Sequence, residues 1–241
     1  MFRFFYFTKH PFISFVFSAG KPTMMEDFNG EVEIPVNGIL LYGNLFIPHG
    51  AEAIVVFVHG SGSGRFSERN RYVARRLQEK GYATLLFDLL TEEESHEYFY
   101  RFQIELLSGR LIKVTEWIAA EILTSNMAIG YFGASTGAAA ALIAAAELPD
   151  KVLAVVSRGG RPDLAPGALN KVQAAVLLIV GGKDEVVREQ NEKAFDEIES
   201  ISELTIVHGA SHLFEEPGKL EEVTDYALGW FGKYLKTEVP L

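Results

Sequence analysis

Residues 127–137 read Met127-Ala128-Ile129-Gly130-Tyr131-Phe132-Gly133-Ala134-Ser135-Thr136-Gly137, and the alanine-rich run 138–148 follows them. The short apolar run predicts a strand and the alanine-rich run a helix. Between them, G-x-S-x-G predicts a sharp turn with a serine at its apex. A glycine on each side of that serine suits such a turn, because a Cβ there would crowd the adjoining strand or helix. A serine hydroxyl is a weak nucleophile until a base removes its proton. The turn therefore makes Ser135 the candidate nucleophile and sends the search outward for a base and an acid.

Working outward, short apolar strands alternate with helical patterns. Residues 31–36 and 39–47, joined by Asn37-Gly38, predict an antiparallel hairpin, since Asn-Gly suits a two-residue turn. Six further runs, at 54–58, 83–87, 127–132, 152–156, 176–180 and 204–207, are apolar on both faces, as parallel strands covered by helices must be. Ser67 can cap a helix that runs to Lys80 and closes at Gly81. Leu111, Val114, Ile118 and Ile122 form a stripe at helical spacing, as do Leu220, Val223, Ala227, Trp230 and Tyr234. These stripes are core, not cofactor contacts. The expected fold class is α/β: an eight-stranded, mostly parallel sheet flanked by helices, its first two strands antiparallel.

Composition narrows the partners. The formal charge of −10, with no long basic stripe to offset it, argues against nucleic acid. With no cysteine, disulfides, Cys-ligated zinc and a thiol nucleophile are excluded. The expected extension 1–23 is apolar, but Lys9, His10 and Pro11 interrupt it, and no apolar run reaches the roughly 20 residues that span a bilayer. It fits a secretory signal poorly, so translation is expected to start at Met24 or Met25, with residues 24–241 forming the domain. A cytoplasmic protein is expected, with export or membrane association through the apolar segment as the alternative.

In an open parallel sheet, working residues gather at the carboxyl ends of strands. Asp184 follows the strand 176–180 in the turn Gly181-Gly182-Lys183-Asp184, and His212 follows 204–207 in Gly209-Ala210-Ser211-His212. Ser135, Asp184 and His212 thus stand in the chain order of a serine triad built on such a sheet. A lone Asp in a turn or a lone His is usually unremarkable; three required residue types, each just past a different strand, outweigh that. Two backbone donors for an oxyanion are expected from Thr136 and Ser61, with Gly62 the alternative to Ser61. His59 is expected to hold its turn. The same turn, His59-Gly60-Ser61-Gly62-Ser63-Gly64, begins like a dinucleotide-binding loop, but the third glycine of G-x-G-x-x-G would fall at Arg65.

Together these residues make the chain resemble the α/β-hydrolase superfamily and, within it, the small dienelactone hydrolase-like proteins. The likeness covers residues 31–235 and is carried by the turn at 59–64, the pentapeptide 133–137, Gly181-Gly182-Lys183-Asp184 and Ser211-His212. It implies the α/β-hydrolase fold and ester-bond hydrolysis needing neither metal nor cofactor. Dienelactone hydrolases proper carry a cysteine nucleophile, whereas this chain has Ser135. The resemblance thus implies a general hydrolase of small esters or lactones. Acyl transfer or thioester hydrolysis by the same residues, and a non-catalytic binding module on the same fold, are the alternatives.

Lids in this superfamily usually follow the sixth strand. Here only residues 157–175 lie there, room for one helix and no large cap domain. That segment carries Arg158 and Arg161, which with Arg65 could clamp an anionic substrate bidentately. The competing reading is an internal ion pair with Asp163 or a nearby Glu, and Arg65 could join either arrangement. The run Glu92-Glu93-Glu94 points its carboxylates in different directions and reads as a solvated loop, not a metal site.

Overall fold

The computed structural model describes residues 15–18, 21–24 and 26–235. Strands β1 (Phe15–Ser18) and β2 (Lys21–Met24) pair as a separate antiparallel hairpin. The rest of the expected extension 1–23 lies outside the described residues. The main sheet opens with β3 (Phe28–Val36) and β4 (Ile39–Ile47), antiparallel from Phe28 opposite Ile47 to Val36 opposite Ile39. Asn37 and Gly38 turn the chain at φ 48° and 87°, the two positive values that a type I′ turn demands.

The remaining elements alternate: β5 (Ala53–Val58), α1 (Glu68–Gln78), β6 (Ala83–Phe87), α2 (Glu92–His96), α3 (Ile104–Ala120), β7 (Ala128–Ala134), α4 (Thr136–Glu147), β8 (Val152–Arg158), β9 (Ala175–Gly181), α5 (Glu185–Glu197), β10 (Ser202–Val207) and α6 (Lys219–Tyr234). The sheet has eight strands in the order β10-β9-β8-β7-β5-β6-β4-β3. It is parallel from β10 to β6, and β4 runs antiparallel to both its neighbours. Strands β5, β6, β7 and β9 are buried along their whole length. Leu111, Val114 and Ile118 of α3 pack on one face with α4, while Val73 and Leu77 of α1 pack with Val223 and Trp230 of α6 on the other. Each such side chain contributes about 1.5–3 kcal/mol by leaving water.

Strand β5 has β6 on one side and β7 on the other, so the chain changes direction across the sheet at β5. This is the switch point at which such sheets open a crevice beyond their carboxyl ends. The turn after β5 and the turn after β7 both face it, leaving the sheet at the paired residues Val58 and Gly133.

Three local expectations need correcting. The segment 157–175 holds no α-helix, only the short 3₁₀ turns Pro162–Leu164 and Leu169–Lys171. Gly159, Gly160, Pro162, Pro166 and Gly167 deny a helix both backbone stiffness and amide donors. The acidic run is the helix α2, started by a capping box in which Thr91 Oγ1 accepts from Glu94 N at 3.4 Å and Glu94 Oε2 accepts from Thr91 N at 2.9 Å. Ile122 lies past the end of α3 and is 47% exposed. No helix of the described residues is long and apolar enough to cross a membrane.

Candidate active site

Ser135 caps α4 with φ 50° and ψ −121°, a conformation that costs a residue other than glycine about 1–3 kcal/mol. The surroundings hold it there. Its amide donates to the Arg158 carbonyl at 3.2 Å, and its carbonyl accepts from Arg161 N and Ala138 N, each at 3.1 Å. A Cβ on Gly133 would lie 2.6 Å from Ala138 Cα, and one on Gly137 would run into the carbonyls of Val58 and His59. Both glycines are needed for α4 to leave β7 at this angle.

Asp184 and His212 meet beyond the ends of β9 and β10. Gly182 N donates to Val207 O and Lys183 N to Ala210 O, both at 2.9 Å, so the two turns are tied together. The result is a 2.6 Å contact between His212 Nδ1 and Asp184 Oδ2. With Nδ1 so engaged, Nε2 is the nitrogen left to work on another group. The ring lies against Gly159, where a Cβ would stand 3.5 Å from Nδ1 and Cε1. Gly159 directly follows Arg158, whose carbonyl holds Ser135 N, so the end of β8 touches both the serine's backbone and the imidazole. Glu216 secures the His212 turn by accepting from Ser211 N at 3.0 and 3.1 Å, and that amide holds its carboxyl below the usual range.

The turn at 59–64 sits directly against the serine: a Cβ on Gly60 would lie 3.1 Å from that of Ser135. Ser61 N donates to Thr136 Oγ1 at 2.9 Å. This bond sets the two candidate oxyanion donors side by side, but it also engages one of them. Thr136 N, at the first position of α4, has no i−4 carbonyl within its helix. His59 is buried, accepts from Leu89 N at Nε2 (3.0 Å) and has Nδ1 3.0 Å from Gly60 O. Nδ1 therefore carries the proton, and burial pushes the pKa down, so His59 is a neutral strut between the turns after β5 and β6.

The three arginines that could clamp an anion part company. Arg65 is taken up internally, 2.7 Å from Glu31 and 3.1 Å from Asp88, with its backbone amide on Asp88 as well. Arg161 grips Asp163 through two bonds of 2.8 and 2.7 Å, the ion pair that competed with substrate binding, and this raises its pKa. Arg158 alone is buried with no carboxylate in ion-pair contact among the described residues.

A cleft of about 800 Å³ opens beside the turn at 59–64, bounded also by Tyr42, Asp88, Thr91, His96 and Arg101. Ser135 and His212 are not in its wall; its wall at Gly60 and Ser61 lies against Ser135 and Thr136. Two of its supports were missed in the sequence. Arg101 bonds Ser95 O at 2.8 Å and leans over Gly62. Arg110 grips Glu94 through bonds of 2.6 and 2.7 Å and so anchors α2 at the rim. Arg101 sits in no motif, whereas the spacing of Thr91 and Glu94 was a legible capping signal.

Fold and site geometry together define an α/β hydrolase. Residues 41–230 match the model of the Dienelactone hydrolase family. A dienelactone hydrolase from Anabaena variabilis is 52% identical and superposes with a TM-score of 0.85, over 88% of this chain and all of that one. Est1E from Butyrivibrio proteoclasticus, at 17% identity, shares the fold with a TM-score of 0.71 over 84% of this chain and 99% of its own. Two Mycobacterium tuberculosis proteins named "Putative phosphoribosyl transferase" are 52% identical over 218 residues, 90% of this chain and 48% of theirs. The chain thus spans about half the length of the curated relatives it matches. It belongs to the dienelactone hydrolase family.

Proposed function

We propose that the protein is a serine hydrolase that cleaves small carboxylic esters or lactones through an acyl-enzyme. Ser135 Oγ attacks the carbonyl carbon while His212 Nε2 takes its proton. The tetrahedral intermediate collapses, the C–O bond to the leaving alcohol breaks, and His212 returns the proton to that alcohol. Water then attacks the acyl group by the same route, releasing the acid and restoring Ser135. Asp184 fixes the imidazole tautomer and stabilises the imidazolium. The N–H groups of Thr136 and Ser61 receive the oxyanion, the latter by giving up its bond to the Thr136 hydroxyl; Gly62 N–H is the alternative donor. No step needs a metal or a cofactor.

The observation that carries this reading is the strained Ser135 on a turn walled by glycines, one strand from an Asp184–His212 pair at 2.6 Å. Strain of this kind persists where the surrounding structure over-determines it, as at working sites. The absence of a cap after β8 supports small substrates. The name of the longer relatives gives no reason to prefer phosphoribosyl transfer, because the matched half is the part that carries Ser135, Asp184 and His212. A fluorophosphonate probe tests the reading. It should label Ser135 and nothing else, and labelling should vanish in Ser135→Ala; an unlabelled wild type would leave a binding module on this fold.

A further inference from the structure

The buried residues of α5 are Val187, Asn191 and Ala194, the i, i+4, i+7 stripe that an amphipathic helix turns to its core. Asn191 is fully buried, at 0% exposure. Its Nδ2 donates to Gly160 O at 2.9 Å and to Val187 O at 2.7 Å. Both neighbours are carbonyls, so the amide has to present its NH2 to them. Oδ1 is then left buried with no partner among the described residues. An apolar side chain would fill this core position without stranding a polar atom. The helix therefore gives up stability at Asn191 and gains the bond to Gly160.

Gly160 lies in the loop between the two halves of the proposed machinery. Gly159, before it, donates to Ile179 O at 2.8 Å and lies against His212: a Cβ there would stand 3.2 Å from His212 O and 3.5 Å from the ring. Arg161, after it, donates its amide to Ser135 O at 3.1 Å. Asn191 stands on the helix that opens at Asp184, two turns further along. One hydrogen bond thus ties the helix of Asp184 to the loop that touches His212 and holds Ser135. Two successive glycines leave that loop free to drift and give it no side chain to anchor itself. Nor can Gly160 take a side chain, because a Cβ would run into the Ser157 hydroxyl and stand 2.8 Å from Ala138 Cβ. The anchor has to come from another element, and Asn191 supplies it.

We propose that Asn191 is a positioning residue for acyl transfer: its amide fixes the loop 159–161 and so sets Ser135 against the Asp184–His212 pair. This rests on the hydrolase reading. Asn191 touches none of the three side chains; it acts through the Gly160 carbonyl. The turns of Asp184 and His212 are already tied to each other by the bonds from Gly182 N and Lys183 N. What those bonds leave open is the register of that pair relative to the serine, and the loop held by Asn191 closes it.

The test compares the whole chain with Asn191→Leu, which fills the core position and removes the donor. Working sites are counted by end-point fluorophosphonate labelling, so that misfolded molecules do not enter the rate. In stopped-flow measurements with p-nitrophenyl acetate, the acylation rate constant per site should fall roughly 10- to 100-fold, the order of loss that a misplacement of about 1 Å brings. The binding constant of the ester should change less than about 3-fold. A folded variant whose acylation rate per site stays within about 3-fold of wild type overturns the proposal, whatever its melting temperature. Asn191→Asp, which keeps the shape, takes over if Asn191→Leu fails to fold. As a carboxylic acid it can still donate to Gly160 O, as a carboxylate it cannot, and burial places that change above the usual carboxylate range. Its acylation rate relative to wild type should therefore fall 10-fold or more between pH 6 and pH 10; a constant ratio overturns the proposal. A wild type that takes no fluorophosphonate label removes the hydrolase reading and this proposal with it, whereas a labelled wild type with an unaffected variant removes the proposal alone.

Discussion

Arg110 and Arg158 are equally buried, at 6% and 7% exposure, yet the protein treats them in opposite ways. Arg110 has a complete set of partners: both oxygens of Glu94 and the Leu89 carbonyl at 2.8 Å. Arg158 has a strand end, a neighbouring arginine and no carboxylate among the described residues. The first charge is closed within the structure and anchors α2 beside the cleft. The second is left without a counter-charge among the described residues. Equal burial thus goes with opposite degrees of charge compensation.

The largest stability effect should come from opening the closed pair. Glu94→Ala leaves Arg110 buried and unpaired and should cost about 3 kcal/mol, read from urea unfolding. A loss below about 1 kcal/mol would remove the contrast. Arg158→Met should do the reverse in buffer without oxyanions, leaving stability unchanged or raising it by about 1 kcal/mol, because it removes a charge that has no partner. The pair also sets a pH dependence. Arg110 holds the Glu94 carboxyl below the usual range, so its contribution is fully present above the unfolded value, about pH 4.3. That contribution is lost as the pH falls through the lower folded value. Wild type should therefore lose more stability between pH 5 and pH 3 than Glu94→Gln does. The smallest effect belongs to Arg161→Ala: its ion pair with Asp163 is about one-third exposed on both sides and should cost less than about 1 kcal/mol.

The same contrast explains what the sequence disclosed. The six parallel strands were legible because burial on both faces leaves unbroken apolar runs, and Asn37-Gly38 prescribed its own hairpin. Ser135, Asp184 and His212 could be picked out because each directly follows such a run. Features built from distant partners were not legible. Arg65 looked free because its partners are distant in sequence, Glu31 on β3 and Asp88 just past β6. Glu94 looked solvated because Arg110 answers it from the next helix. The bond from Ser61 N to Thr136 Oγ1 joins two turns that meet only once β5 and β7 pair. The segment after β8 was read as a helix from its length, although its prolines and glycines stood against one.

The central claim is that Ser135 carries the acyl group. Intact-mass and peptide mass spectrometry on enzyme quenched during p-nitrophenyl acetate turnover tests it most directly. One acetyl group should appear on the peptide containing Ser135 and be absent from Ser135→Ala, whose kcat should fall roughly 10⁴-fold. Steady product release with Ser135 unmodified, or undiminished turnover by Ser135→Ala, would contradict it.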